Sequence, residues 1–381
     1  FMRLLQLMLV SFVFVGGAFA QQQPPAPKIT FQAPPYKKAL EQFLPKWDAN
    51  KNDRLDRSET AVLLRDGSIR SIEAAALATS HFWFLKSPDK KSATLDELTS
   101  DIKETLAFAN GSFTNVFNME REYEFYLVHL FTSSREMFGS KKLGIEGISQ
   151  GHMGNCFFVS MAGNLAFQNP DAIKSMIKTN EDGSNKVEFP DGRSVRINKL
   201  PEAVIALGSR TANQGTWINV LEEAYGEIYK TNAPGDTTAI GLDRISRGGN
   251  IGETISLLTG HQTDTIAWKS GLPEDLLNIR YLLGKGVKNK SLMGAGVPFD
   301  LKKPPPAIVV GHAYAVLNYD EAKDLITLWN PHGNNFKPMG SEGFINGYET
   351  KGGVFTLSSK DFSFLFNYLF VETNKPISNK R

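Results

Sequence analysis

Cysteine is almost absent from this chain. Cys156 is the only one in 381 residues, so no disulfide can close within the chain and stability must come from packing. Charge of one sign is also missing. The 42 basic and 40 acidic side chains leave a formal net charge of +2, and no long single-sign block interrupts the mixture. That excludes the broad basic footprint of a nucleic-acid binder, and no nucleic-acid partner is expected. Beyond residues 4–15, no stretch is apolar and long enough to suggest a bilayer span. What is present is ordinary for a globular enzyme: 41% hydrophobic residues, enough to bury a sizeable core.

Leu4 to Val15 is nearly continuous apolar sequence behind Met2-Arg3, and Ala18-Phe19-Ala20 is a small-x-small cleavage pattern before Gln21. Residues 1–20 are expected to be a signal peptide, making the mature chain secreted or periplasmic. No cysteine follows the apolar run, which argues against a lipoprotein anchor, and no stable membrane insertion is expected after signal removal. Residues 21–35 are rich in proline and glutamine and read as an extended linker.

Residues 36–137 read as a small all-helical module with a connecting helix. Leu40, Phe43, Leu44 and Trp47 recur at helical spacing. They lead into Asp48-Ala-Asn50-Lys-Asn52-Asp53-Arg54-Leu55-Asp56-Arg-Ser-Glu59, which is close to an EF-hand loop. Asp48, Asn50 and Asn52 fill its first, third and fifth positions. Arg54 would offer its backbone carbonyl, Asp56 stands at the ninth and Glu59 at the bidentate twelfth. Asp53 occupies the sixth position, where a left-handed backbone is needed and glycine is usual. Calcium is the expected ion. The segment from Lys86 to Ala93 lacks the ligand spacing and reads as a degenerate partner loop. Phe113 to Phe138 reads as largely helical.

Farther on, Gln150-Gly-His-Met-Gly-Asn-Cys156-Phe-Phe places the sole thiol at the start of an apolar run that can form a helix. The partial positive charge of a helix N-terminus favours the thiolate, which is the nucleophilic form. Gln150 could direct its side-chain N–H toward an oxyanion, beside the backbone N–H of Cys156. A thiol nucleophile needs a base and a group to orient it. Gly311-His312-Ala313-Tyr314 supplies the first and Trp329-Asn330-Pro331-His332-Gly333 the second, in the order Cys, His, Asn used by papain-type enzymes. His332 is the main rival of His312 for the role of base.

These pieces resemble the calpain family of papain-like cysteine proteases. The nucleophile segment, Trp217-Ile-Asn-Val-Leu-Glu-Glu-Ala-Tyr225, Leu258-Thr259-Gly260, Gly311-His312-Ala313-Tyr314, Asn330-Pro331-x-Gly333 and Gly353-Val354-Phe355 follow the family order. The resemblance covers about residues 138 to 373 and implies an α+β fold. Its papain-like, two-lobed core would have a helix-rich lobe at 138–262 and a strand-rich lobe at 263–373, with residues 374–381 as a tail. It also implies cleavage of a protein or peptide substrate by Cys156, His312 and Asn330, with Gln150 in the oxyanion hole. The chain departs from the family at Asn155 (usually Asp), Phe157 (usually Trp), Trp329 (usually Arg) and His332 (usually Trp). Two other readings remain: acyl transfer to an amine, as in transglutaminases, and a calcium-binding interaction protein with an inactive protease fold. The first usually has Asp where Asn330 stands. The second leaves a complete Cys, His, Asn and Gln set unexplained.

Overall fold

The computed structural model describes residues 33–108, 111–230, 239–269 and 272–377. The expected signal peptide, most of the linker and the end of the tail lie outside them. The described chain begins with α1 (Tyr36–Trp47), which buries Tyr36, Ala39, Leu40, Leu44 and Trp47 along one stripe. The 48–59 loop passes through β1 (Leu55–Asp56) into α2 (Arg57–Leu63). The long helix α3 (Ser71–Lys86) follows, then β2 (Ser92–Ala93) and α4 (Leu95–Thr99). The two short strands pair antiparallel, Leu55 opposite Ala93. Thr94 and Glu97 cap α4 reciprocally, at 3.3 Å from the Glu97 N–H to Thr94 Oγ1 and 2.9 Å from the Thr94 N–H to Glu97 Oε2.

The module is not all helical. β3 (Ile102–Phe108) and β4 (Gly111–Phe117) form an antiparallel hairpin, so the helix expected from Phe113 starts only at α5 (Met119–Thr132). Thr105 and Thr114 bond across the strands at 3.0 Å, and Asn118 caps α5 by accepting from the Arg121 N–H at 3.0 Å.

Next come α6 (Cys156–Gln168) and α7 (Pro170–Met176). A three-stranded sheet follows, β5 (Ile177–Thr179), β6 (Asn185–Glu188) and β7 (Ser194–Ile197). The expected hairpin around Asp191-Gly192 is its β6–β7 pair, and Gly192 supplies the left-handed turn at φ 91°. Helices α8 (Glu202–Leu207), α9 (Trp217–Tyr229), α10 (Gly241–Ile245) and α11 (Ile251–Thr259) complete this half.

The remaining elements are β8 (His261–Ala267), α12 (Pro273–Asn289), β9 (Met293–Val297), β10 (His312–Asp320), β11 (Leu325–Trp329), β12 (Val354–Ser358), α13 (Ser359–Leu365) and β13 (Tyr368–Pro376). Six strands form one antiparallel sheet in the order β12-β11-β10-β9-β13-β8. Strands were expected to dominate here, but α12 interrupts them. Pro273 opens it, Glu274 and Asp275 suit its first turn, and Ile279, Leu282, Leu283 and Gly286 are its buried stripe.

Two apolar cores result. One runs without a break from the N-terminal helices (Trp47, Phe82, Tyr126) into the helix-rich half (Phe157, Trp217, Leu258). The other joins the sheet to α12 and α13 through Tyr314, Ile279 and Phe362. The alternation of β10 divides them: Ala313 and Ala315 belong to the first, Tyr314 and Val316 to the second. Small side chains let α6 lie close on the sheet, where Gly163 packs under the ring of Trp329. Asn164 fastens the contact, donating to the Met293 and Val316 carbonyls at 3.1 and 3.2 Å, the latter where the β10–β11 register shifts.

Candidate active site

Cys156 is the first residue of α6 and is 1% exposed. Burial pushes its thiol up to about 11, although the backbone N–H groups of Ala313, Phe157 and Cys156 itself pull the other way. The Ala313 bond matters most for assembly, because it sets the thiol one residue from His312. Gly311 precedes His312 with φ 61°, and a Cβ there would run into the ring of Phe299.

His312 Nε2 lies 2.9 Å from Asn330 Oδ1, and both residues are buried. The backbone N–H of His332 donates to the same oxygen at 3.0 Å. A backbone N–H can only donate, which fixes the oxygen of Asn330 on this side and makes His312 Nε2 the protonated nitrogen. The lone pair of a neutral His312 is therefore on Nδ1, a buried atom with no partner of its own. Burial lowers His312 to about 4, against a smaller upward pull from Asn330. Burial thus disfavours the charged form of both groups, and Nδ1 is left open as a proton acceptor. Asn330 is itself held by its N–H to the Gly353 carbonyl at 2.9 Å. Gly353, at φ 84°, has no room for a Cβ against the Asn330 carbonyl.

Gln150 reaches the same region, because its backbone N–H donates to Pro331 at 2.8 Å. Its side-chain Nε2 donates to the Met153 carbonyl at 2.7 Å, which leaves a second hydrogen on that nitrogen. The four residues named from sequence are thus brought together from the nucleophile loop, α6, β10 and the end of β11.

Sequence reasoning missed the support behind them. Asn155, just before the nucleophile, donates to Glu222 of α9 at 2.7 Å. Glu222 also accepts from the Ser209 N–H at 3.1 Å, the Ser209 hydroxyl at 2.6 Å and Asn219 at 3.3 Å. Burial still pushes its carboxyl up to about 7. The signal was a glutamate on the apolar stripe of α9, between Ile218 and Tyr225. His152, in the loop before the nucleophile, bonds Glu122 of α5 at 2.7 Å and stacks on Phe125. His332 lies flat against His312, with ring centroids 4.7 Å apart and planes 6° from parallel.

The 48–59 loop is a different kind of place. Asp48 accepts from the Asn52 and Asp53 N–H groups at 3.1 and 2.8 Å, and Glu59 from those of Ala49 and Asn50 at 2.8 and 3.3 Å. Asn50 donates to Asp56 at 2.8 Å, and the Arg54 N–H donates to Asn52 Oδ1 at 2.9 Å. Asp53 has φ 60°, the left-handed conformation its position calls for. Among the described residues, no three His, Cys, Asp or Glu side chains converge as metal ligands. The oxygen donors and the chain path suit a hard cation, but the carboxylates are engaged with the loop's own N–H groups.

A profile of calpain family cysteine proteases matches residues 119–341, more than half the chain and every residue of the Cys156, His312, Asn330 and Gln150 cluster. Comparison with curated proteins gives no match. No helix among the described residues is long and apolar enough to cross a membrane.

Proposed function

The chain belongs to the calpain family of cysteine proteases, and from that premise we propose that it is an endopeptidase working through Cys156, His312, Asn330 and Gln150. The observation that carries the reading is the orientation of His312: Asn330 holds its Nε2–H at 2.9 Å, and Nδ1 is left to take a proton. The steps follow. The lone pair on Nδ1 accepts the Cys156 proton while Sγ attacks the peptide carbonyl carbon. The oxyanion is met by the Cys156 N–H and by the second hydrogen of Gln150 Nε2. The new imidazolium gives its proton to the departing amine, leaving a thioester. Water, deprotonated by the same nitrogen, releases the carboxylic product and restores the thiol. The two-lobed arrangement is part of the reading, with substrate lying between the helix-rich half and the sheet. Mass analysis of products from an unfolded protein, with and without an added amine, tests it. Free carboxyl ends in both reactions are expected; amide formation to the added amine would point to acyl transfer instead.

The 48–59 loop is an EF-hand-like calcium site in this reading, with Asp48, Asn50, Asn52, Asp56, Glu59 and the Arg54 carbonyl as ligands. Its affinity is on the order of 10⁻⁴ M or tighter. The ion stabilises the N-terminal module. The apolar core that runs from this module into the helix-rich half supports a structural role over an on–off signal. The chain is exported, secreted or periplasmic, with Gln21 as the first residue of the mature protein. N-terminal sequencing of protein recovered outside the cytoplasm checks this, and full-length protein found only in the cytosol would count against it.

A further inference from the structure

The ring of His332 covers one face of His312 with nearly parallel planes, 4.7 Å between centroids. The placement is built by the strands. β10 and β11 pair with Ala315 opposite Trp329, and continuing that register past the strand ends sets residue 332 opposite residue 312. The backbone of His332 is fixed on both sides. Its N–H donates to Asn330 Oδ1 at 3.0 Å, and its carbonyl accepts from the Ser149 hydroxyl at 3.1 Å. The stacked ring therefore has little freedom to leave.

We propose that His332 is a positioning residue that makes the charge on His312 depend on its own protonation. This rests on the cysteine-peptidase reading of the site. When His312 takes the thiol proton it becomes a cation, and a neutral imidazole face lying on it stabilises that cation, as aromatic faces do. When His332 is itself protonated, two like charges face each other and His312 holds its proton less tightly. A tryptophan or phenylalanine in this place would supply a face but could not switch.

The surroundings favour the neutral form. Burial lowers His332 well below the ordinary imidazole range, His312 and His152 push the same way, and a backbone bond to Gln150 opposes them. The other ionisable groups around the stack are few. Tyr314 meets His312 edge-on at 5.0 Å between centroids, His152 is paired to Glu122 at 2.7 Å, Arg210 reaches Ser149 Oγ at 3.5 Å, and Cys156 lies on α6. Acidification therefore adds two protons to the site, one to the thiol–imidazole pair and one to His332.

The test is the pH dependence of two rates on the full chain: peptide hydrolysis (kcat/KM) and alkylation of Cys156 by iodoacetamide. Wild type, His332→Trp and His332→Phe are compared, with circular dichroism to verify folding. The expected acid limb in wild type steepens toward a slope of 2 on logarithmic axes. In either aromatic variant it falls to a slope of 1 and moves to lower pH, while the plateau rate stays within about threefold. His332→Ala, which removes the face, should lower the plateau by about three- to thirtyfold. A wild-type slope of 1, or the same limb in wild type and both aromatic variants, would overturn the proposal. Alkylation that shows the two slopes without any peptide hydrolysis would leave the proposal standing and overturn the peptidase reading alone.

Discussion

Asp48 and Glu59 belong to one short loop. Cys156, His312 and Asn330 come from far-apart stretches of chain, and the packing of α6 on the sheet is what brings them together. In the loop, side chains mostly satisfy backbone N–H groups within the same dozen residues, at 2.8 to 3.3 Å. In the cluster, His312 meets Asn330 across two strands and the thiol meets the Ala313 amide from a different element. A contiguous motif can be written by local sequence alone. A discontinuous one needs Ala313, Ala315, Gly163 and Asn164 to set helix on sheet, so its convergence says more about purpose. The family profile matches the second region and stops short of the first.

Five substitutions would break or sharpen that contrast. His312→Ala removes both base and acid, and hydrolysis should fall about 10²- to 10⁴-fold with the fold retained. A loss below tenfold would mean that another residue, His332 first, serves as base. Gln150→Ala should lower turnover by about ten- to a thousandfold, with little change in KM, if its N–H meets the oxyanion. A pure KM effect would make it a substrate-binding residue. Asn330→Ala should leave more activity than His312→Ala, because Asn330 orients and does not react.

Glu222→Gln probes the support behind the nucleophile. The folded carboxyl of Glu222 is raised to about 7, so the stability it contributes is present at acid pH and lost as pH rises through about 7. The glutamine variant should lack that loss. Its urea midpoint relative to wild type should rise between pH 5 and pH 8, by about 1–3 kcal/mol in unfolding free energy. Equal pH profiles would show that Glu222 is ionised in the fold throughout.

The smallest effect on catalysis belongs to the loop. Calcium at a hundred times Kd should raise the melting temperature by about 5 °C, and Glu59→Ala should remove the shift while hydrolysis changes less than twofold. A calcium requirement for cleavage that survives Glu59→Ala would place the important ion in the protease core.

Much of this was legible in the sequence, and unevenly. The β6–β7 hairpin announced itself through Asp191-Gly192, and α1 through its apolar stripe. The motifs around Cys156, His312 and Asn330 were readable because each carries its own flanking residues. The β3–β4 hairpin was missed because the helical pattern of α5 was extended back over Phe113. Helix α12 was missed among strands despite Pro273 and its acidic first turn. Two glycines, Gly284 and Gly286, weaken it locally, and packing against the sheet restores it. The stack of His332 on His312 and the bond from Asn155 to Glu222 had no local signature. They follow from strand register and helix packing, which pair residues far apart in the chain.

The most direct test of the discontinuous cluster is the hydrolysis of an unfolded protein by the mature chain and by Cys156→Ala, both verified as folded. The account predicts cleavage by the first and none by the second. Undiminished cleavage by Cys156→Ala would contradict it.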